Sequence, residues 1–214
     1  IRINDTVPDI RVQTDQGSFS LHEWIENSWA ILFSHPKDFT PVCTTEFSAV
    51  ARLEAEWEKR NTKVIGVSVD EVEDHINWKK DIEAIGNYKP SFPIIADTEL
   101  VISKAFDMLP SEAYLPDGRT PNDTATVRSL FIIGTDKKLK LSMTYPMTVG
   151  RNFAEVLRAL DALQLSTDKG VATPADWQLG QDVIIPAAIN NEEAIKKFGE
   201  FQTILPYLRK VNLG

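Results

Sequence analysis

The sequence predicts an α/β fold with a mixed central sheet and a small C-terminal extension, on three observations. Apolar runs rich in β-branched residues alternate with segments of helical period. The last two long runs flank Gly134-Thr135-Asp136-Lys137-Lys138, a turn that makes them an antiparallel hairpin. After residue 165 the chain changes character and becomes rich in small and polar residues.

The elements follow in order. Ala30-Ile31-Leu32-Phe33 is an unbroken apolar run and reads as a strand near 30–34. Pro36 and Pro41 keep a helix from starting early, and the periodic segment from Cys43 to Arg60 reads as one helix. A strand at Lys63–Val69, a helix at Val72–Ile85, a short strand at Phe92–Ala96 and a helix at Leu100–Phe106 come next. Val127–Ile133 and Leu139–Tyr145 are the hairpin strands, and Asn152–Leu165 is a helix. Ser166-Thr167-Asp168-Lys169-Gly170 and Pro174 mark a linker over 166–176. Beyond it lie a short strand at Gln181–Ile185 and a short helix at Glu192–Phe198. The predicted domains are therefore 1–165 and an extension, 166–214, too short to hold a core of its own and expected to pack on something else.

Composition excludes several function classes. With 43% hydrophobic and 25% charged residues the 214-residue chain supports one sizeable core. A formal net charge of -8 argues against a nucleic-acid footprint. No stretch approaches the ~18 apolar residues of a membrane span. The opening Ile1-Arg2-Ile3-Asn4-Asp5 lacks the regions of a secretory signal, and a removed organellar leader stays open. One cysteine makes no internal disulfide, which fits a reducing compartment, with the cytoplasm the expectation. The same count excludes a Cys-x-x-Cys oxidoreductase and a multi-cysteine zinc site.

That single residue, Cys43, follows a strand and a proline-rich loop and stands where a helix begins. A helix N-terminus offers unpaired N–H donors and a positive dipole end, and so favours a reactive thiolate. A lone cysteine is otherwise an inert, buried small hydrophobe. The segment Pro36-Lys37-Asp38-Phe39-Thr40-Pro41-Val42-Cys43-Thr44-Thr45-Glu46 decides between the two readings, because it resembles the active-site segment of the peroxiredoxins, with their pattern Pro-x-x-x-Thr-x-x-Cys. Ser34-His35-Pro36, Thr126-Val127-Arg128-Ser129-Leu130-Phe131-Ile132-Ile133, Tyr145-Pro146, Thr148-Val149-Gly150-Arg151-Asn152 and Val171-Ala172-Thr173-Pro174-Ala175-Asp176-Trp177 also resemble its one-cysteine, peroxiredoxin-6-like branch. The likeness runs along nearly the whole chain. It implies a thioredoxin-like fold for 1–165 and a homodimer in which 166–214 serves as an arm, with larger oligomers left open.

The resemblance implies a thiol-dependent peroxidase in antioxidant defence, with neither metal nor organic cofactor. Cys43 would reduce hydrogen peroxide or an organic hydroperoxide and become a sulfenic acid. With no second cysteine, an external thiol, unidentified by the sequence, would recycle it. Magnitudes show what such a site must supply. A thiol at the reference pKa near 8.5 is about 3% ionised at pH 7, so full ionisation gains at most ~30-fold. The lower nucleophilicity that accompanies a lower pKa returns about as much, with a Brønsted slope of ~0.4–0.5. The rest must come from groups that orient the peroxide and stabilise the breaking bond.

By motif match, those groups are the Thr40 hydroxyl, the Arg128 guanidinium, Pro36 as a roof over the sulfur, and the Cys43 N–H. Glu46 would hold the arginines, Arg151 would join the network, and His35 would line the pocket. Each has a plainer reading: Thr40 as a helix cap, Arg128 as a strand-edge cation, Glu46 as first-turn helix chemistry. A Cys–His protease pair finds no support in the flanking sequence. His75 is expected on a surface helix without a role.

Two alternatives differ in class. Relatives in this branch can carry a phospholipase A2 activity, whose matching positions are Ser28, His22 and Asp136. The Gly-x-Ser-x-Gly turn is here Glu26-Asn27-Ser28-Trp29-Ala30, with both glycines missing, which argues against a strained nucleophile turn. The other is a redox sensor or holdase switched by overoxidation of Cys43.

Overall fold

The computed structural model describes residues 1–114 and 124–214, and the chain divides into two compact units, Ile1–Arg151 and Asn152–Gly214. The first contains strands β1 (Arg11–Thr14) and β2 (Gly17–Ser20), helix α1 (Leu21–Ile25), β3 (Trp29–Ser34), helices α2 (Pro41–Arg52) and α3 (Glu54–Lys59), and β4 (Thr62–Ser68). Then follow α4 (Val72–Gly86), β5 (Ile94–Ala96), α5 (Val101–Ala105), and the hairpin β6 (Arg128–Ile133) and β7 (Leu139–Tyr145).

Among the described residues, the strands form one sheet in the order β2-β1-β5-β4-β3-β6-β7. It is mixed, with β3, β4 and β5 parallel and the remaining pairs antiparallel. Every residue of β3 and β6 is buried, the pattern of strands covered on both faces. Leu32, Ile65, Val67, Phe106, Phe131 and Ile133 belong to one apolar cluster. Because β3 and β6 are antiparallel, with Phe33 opposite Leu130, the exit of β3 lies beside the start of β6. The Ser34 hydroxyl stitches them, donating to the Val127 carbonyl at 2.6 Å and accepting from the Ser129 N–H. That junction brings the 35–40 loop and Arg128 together.

Three differences from the sequence reading have physical causes. The helix expected over 43–60 is two helices that break at Leu53. The Val50 carbonyl accepts from the Leu53 N–H at 3.1 Å and from the Trp57 indole at 3.0 Å, which interrupts the regular ladder. The β1–β2 hairpin was not foreseen; its strands are four residues each and mostly exposed or half-buried, and Gly17 turns the chain at φ +107°. His75 is wholly buried rather than on the surface. It shares a face of α4 with Trp78, Lys79 and Ile82, all buried.

The second unit contains α6 (Phe153–Lys169), β8 (Val183–Ile184), α7 (Asn191–Phe198), β9 (Gln202–Leu205) and β10 (Leu208–Val211), with a sheet ordered β8-β10-β9. Asn152 caps α6 by accepting from the Ala154 and Glu155 N–H groups, and Gly170 ends it at φ +66°. The helix therefore runs into the expected linker, and the division between units falls before it. The extension has a buried cluster, corrected from the expectation of none: Val171, Trp177, Val183, Ile185, Ala194 and Val211 pack with Ala162 and Leu165 of α6. A tail read without its helix lacks that apolar face. The β9–β10 hairpin around Pro206 was also unforeseen.

Candidate active site

Cys43 is the third residue of α2 and is 0% exposed. Thr40 takes the N-cap position in extended backbone, and Pro41 opens the helix with a nitrogen that needs no partner. The first helical bond, from the Thr44 N–H to the Thr40 carbonyl, is 3.0 Å. The Cys43 N–H thus lies among the N-terminal donors that have no helical acceptor. Thr40 makes no side-chain cap; its hydroxyl donates to the Lys37 carbonyl at 2.8 Å, which closes the loop on itself. Thr44 ties the turn down further, donating to the Thr40 carbonyl at 2.7 Å and accepting the Trp78 indole N–H at 3.1 Å.

Arg128 Nη1 donates to Cys43 Sγ at 3.3 Å and to Glu46 Oε2 at 2.8 Å, and Nε donates to the Met147 carbonyl at 2.8 Å. Cys43 and Glu46 are three residues apart on one helix, so both face this guanidinium. Arg151 grips Glu46 from the other side. Its Nε and main-chain N–H reach Oε1, both at 2.8 Å, Nη2 reaches Oε2 at 2.7 Å, and Nη1 donates to the Ser129 carbonyl. Both arginines and Glu46 are buried. Burial works against the Glu46 charge, and the bonds and charge of Arg151, aided by Arg128, outweigh it and hold the carboxyl below its usual range.

Pro36 is buried at the start of the loop. His35 is buried too, stacked on Trp78 with ring centroids 4.9 Å apart and edge-on to Phe47 at 4.6 Å. It makes no described hydrogen bond to Cys43; its Nε2 lies 2.6 Å from Asp38 Oδ1. Asp38, its neighbour His75 and Asp70 were missed in the sequence. The signal for His75 was its spacing with Trp78 and Ile82 on α4. Beside the loop runs a groove of about 570 Å³ lined by Phe39, Thr40, Pro41, Thr44, Trp78 and Ile85.

The three phospholipase positions are not joined. Ser28 is buried, His22 Nε2 pairs with the Val7 carbonyl, and Asp136 pairs with Lys140 and the Lys138 N–H. No described hydrogen bond links any two of them. Among the described residues, no helix is long and apolar enough to cross a membrane.

A thiol at a helix N-terminus under an arginine, on a sheet of this order, is a nucleophilic thiol site on a thioredoxin-like fold. Comparison with known proteins narrows the class. Residues 3–142 match the AhpC/TSA family, and residues 162–200 match the C-terminal domain of 1-Cys peroxiredoxin. The chain is 49% identical to the mitochondrial peroxiredoxin PRX1 of Saccharomyces cerevisiae, over 98% of this chain and 80% of that protein. It is 45% identical to peroxiredoxin-6 of Gallus gallus, over 97% and 94%. A cysteine-to-serine mutant of peroxiredoxin 6 from Arenicola marina superposes with a TM-score of 0.92 at 41% identity, covering 100% of this chain and 99% of that one. A yeast mitochondrial 1-Cys peroxiredoxin, described for a thiol resolving mechanism via glutathione/thioredoxin systems, superposes at 0.91 with 47% identity, covering 99% of each. The chain belongs to the peroxiredoxin family, in its one-cysteine branch, and is a thiol-dependent peroxidase.

Proposed function

We propose that Cys43 is the peroxidatic residue and that Thr40, Arg128 and Pro36 organise its reaction, with Glu46, Arg151 and His35 in support. The observation that carries this reading is the 3.3 Å contact between Arg128 Nη1 and Cys43 Sγ, where α2 begins. A deprotonated sulfur there faces a permanent cation and the helix N-terminus at once. The thiolate attacks the terminal peroxide oxygen; an S–O bond forms, the O–O bond breaks, and sulfur is oxidised by two electrons. The leaving oxygen takes a proton and departs as water or an alcohol, leaving Cys43 as sulfenic acid. Arg128 stabilises negative charge as it moves from sulfur to the leaving oxygen. With its proton engaged by the Lys37 carbonyl, the Thr40 hydroxyl offers lone pairs to the peroxide O–H. The groove lined by Phe39, Trp78 and Ile85 suits the apolar part of an organic hydroperoxide.

An external thiol returns the sulfenic acid to thiol, in the manner described for the yeast mitochondrial relative. The chain acts as a homodimer. The edge position of β7 in the sheet and the exposed Ile204, Leu205 and Tyr207 of the second unit support this assembly. The lone cysteine supports a reducing compartment, the cytoplasm or the mitochondrion in which the yeast relative's name places it.

Stopped-flow tryptophan fluorescence of the reduced protein against hydrogen peroxide tests the reading, with intact mass before and after. The expected result is a rate orders of magnitude above that of free cysteine and one oxygen added at Cys43. A rate like free cysteine overturns it.

A further inference from the structure

Beneath the active-site loop lies a second buried polar cluster that the peroxidase chemistry does not use directly. Asp38, 2% exposed, accepts from two rings: His35 Nε2 at 2.6 Å on Oδ1, and His75 Nδ1 at 2.6 Å on Oδ2. Its own N–H donates to Asp70 Oδ2 at 2.9 Å, and Asp70 also accepts from the Ser68 hydroxyl. Both histidines are 0% exposed.

Hydrogen-bond accounting separates the two rings. His75 meets an acceptor on each nitrogen, since Nε2 lies 3.2 Å from the Ile95 carbonyl while Nδ1 faces the Asp38 carboxylate. A carbonyl only accepts and an ionised carboxylate only accepts, so a ring that satisfies both carries two protons. A neutral ring would turn a lone pair on one of them at a fully buried position. His35 differs: Nε2 donates to Asp38, and Nδ1 has no partner among the described residues. It is therefore the neutral Nε2–H tautomer, and burial lowers its proton affinity in the same sense.

The loop needs such a clamp. Phe39, between Asp38 and Thr40, has φ +55°, a conformation that bulky residues avoid, and half its surface is exposed. Strain of this kind persists only where the surroundings over-determine it. Here Asp38 ties the loop to the exit of β3 through His35, to the exit of β4 through Asp70, and to α4 and β5 through His75.

We propose that His75 is a positioning residue of the peroxidatic site, an imidazolium that through Asp38 fixes the tautomer of His35 and the path of the backbone from Pro36 to Thr40. The inference rests on the peroxidase reading above for its kinetic consequence, but not for the protonation state. His75 touches neither Cys43 nor the substrate; it sets where Thr40 stands.

The test is a long-range proton–nitrogen NMR correlation on the whole chain with ¹⁵N-labelled imidazoles. The chain has three histidines, His22, His35 and His75, so assignment needs only single His→Gln variants. At pH 7.5 His75 is expected with both nitrogens protonated and His35 as the Nε2–H form. A neutral His75 overturns the proposal, whatever the peroxide rate. His75→Gln keeps a donor toward Asp38 and removes the charge, whereas His75→Lys keeps the charge in a different shape. The expected peroxide rate constants fall at least tenfold in His75→Gln and recover partly in His75→Lys. A Gln variant that equals or exceeds the Lys variant overturns it, because a merely structural role favours the uncharged side chain. Failure of the peroxidase reading is visible separately, as a slow wild-type reaction with unchanged imidazole spectra.

Discussion

Two buried carboxylates flank the candidate site, and each is shared by two bases. Glu46 stands between Arg128 and Arg151, and Asp38 between His35 and His75. The first cluster reaches the sulfur, and its cations keep their charge at every accessible pH. The second reaches only the loop backbone, and its bases titrate in the physiological range when unperturbed. The difference teaches how labour is divided: permanent charge is placed against the reacting atom, and adjustable charge against the scaffold that aims it.

Removing the shared acid of the first cluster breaks the comparison hardest. Glu46→Ala leaves two buried guanidinium groups without their carboxylate and is expected to destabilise the chain by about 3–5 kcal/mol. The peroxide rate should fall with it, because Arg128 loses the partner that orients it; chemical denaturation and stopped-flow measure the two effects. An unchanged stability would mean that the arginines find other acceptors.

Thr40→Val comes next. It removes the hydroxyl that pairs with Lys37 and leaves both clusters intact, with an expected loss of about 100-fold in the peroxide rate. Alkylation of Cys43 by a small electrophile should change little. Equal losses in both reactions would show that the loop, rather than the transition state, had been damaged.

Acid separates the clusters on a finer scale. Burial raises the Asp38 pKa, the hydrogen bonds from His35 and His75 lead the effects that overcome it, and the carboxyl settles at about 2 against an ordinary 3.8. A depressed folded-state pKa stabilises the fold above the unfolded value and loses that stability as pH falls through the folded one. Between pH 4 and pH 2 the wild type should therefore lose about 2 kcal/mol more than Asp38→Asn. His35 pushes the same way from higher pH, because burial lowers its pKa below 6.5 and the unfolded chain takes up the proton first. Unfolding free energies of the two proteins against pH measure both; parallel curves would sink the assignment of this slope to Asp38.

Much of this is legible in the sequence. The proline, threonine and cysteine of the loop, Arg128 ahead of an apolar run, and the β6–β7 hairpin carry strong local patterns, and the arginine–glutamate network was expected in outline. What escaped notice depends on neighbours distant in sequence. Asp38 reads as a loop acid until His75 arrives from 37 residues away. His75 reads as surface until Trp78, Lys79 and Ile82 define the buried face of α4. β1 joins the main sheet through a single residue pair, Thr14 with Ile95, which no local pattern announces. The core of the second unit was invisible because its apolar face was divided between α6 and the segment that follows it.

The complete burial of Cys43 has a consequence for the enzyme's lifetime. A reducing thiol carried on a larger molecule needs more room at the sulfur than hydrogen peroxide does. Repair of the sulfenic acid is therefore expected to need a wider opening of the first turn of α2, against the Thr44 and Trp78 bonds that stitch it. A second peroxide needs the smaller opening. The tightness of one helical turn thus acts as a clock, and the ratio of its opening time to the interval between peroxide arrivals decides whether a molecule is rescued or retired as sulfinic acid.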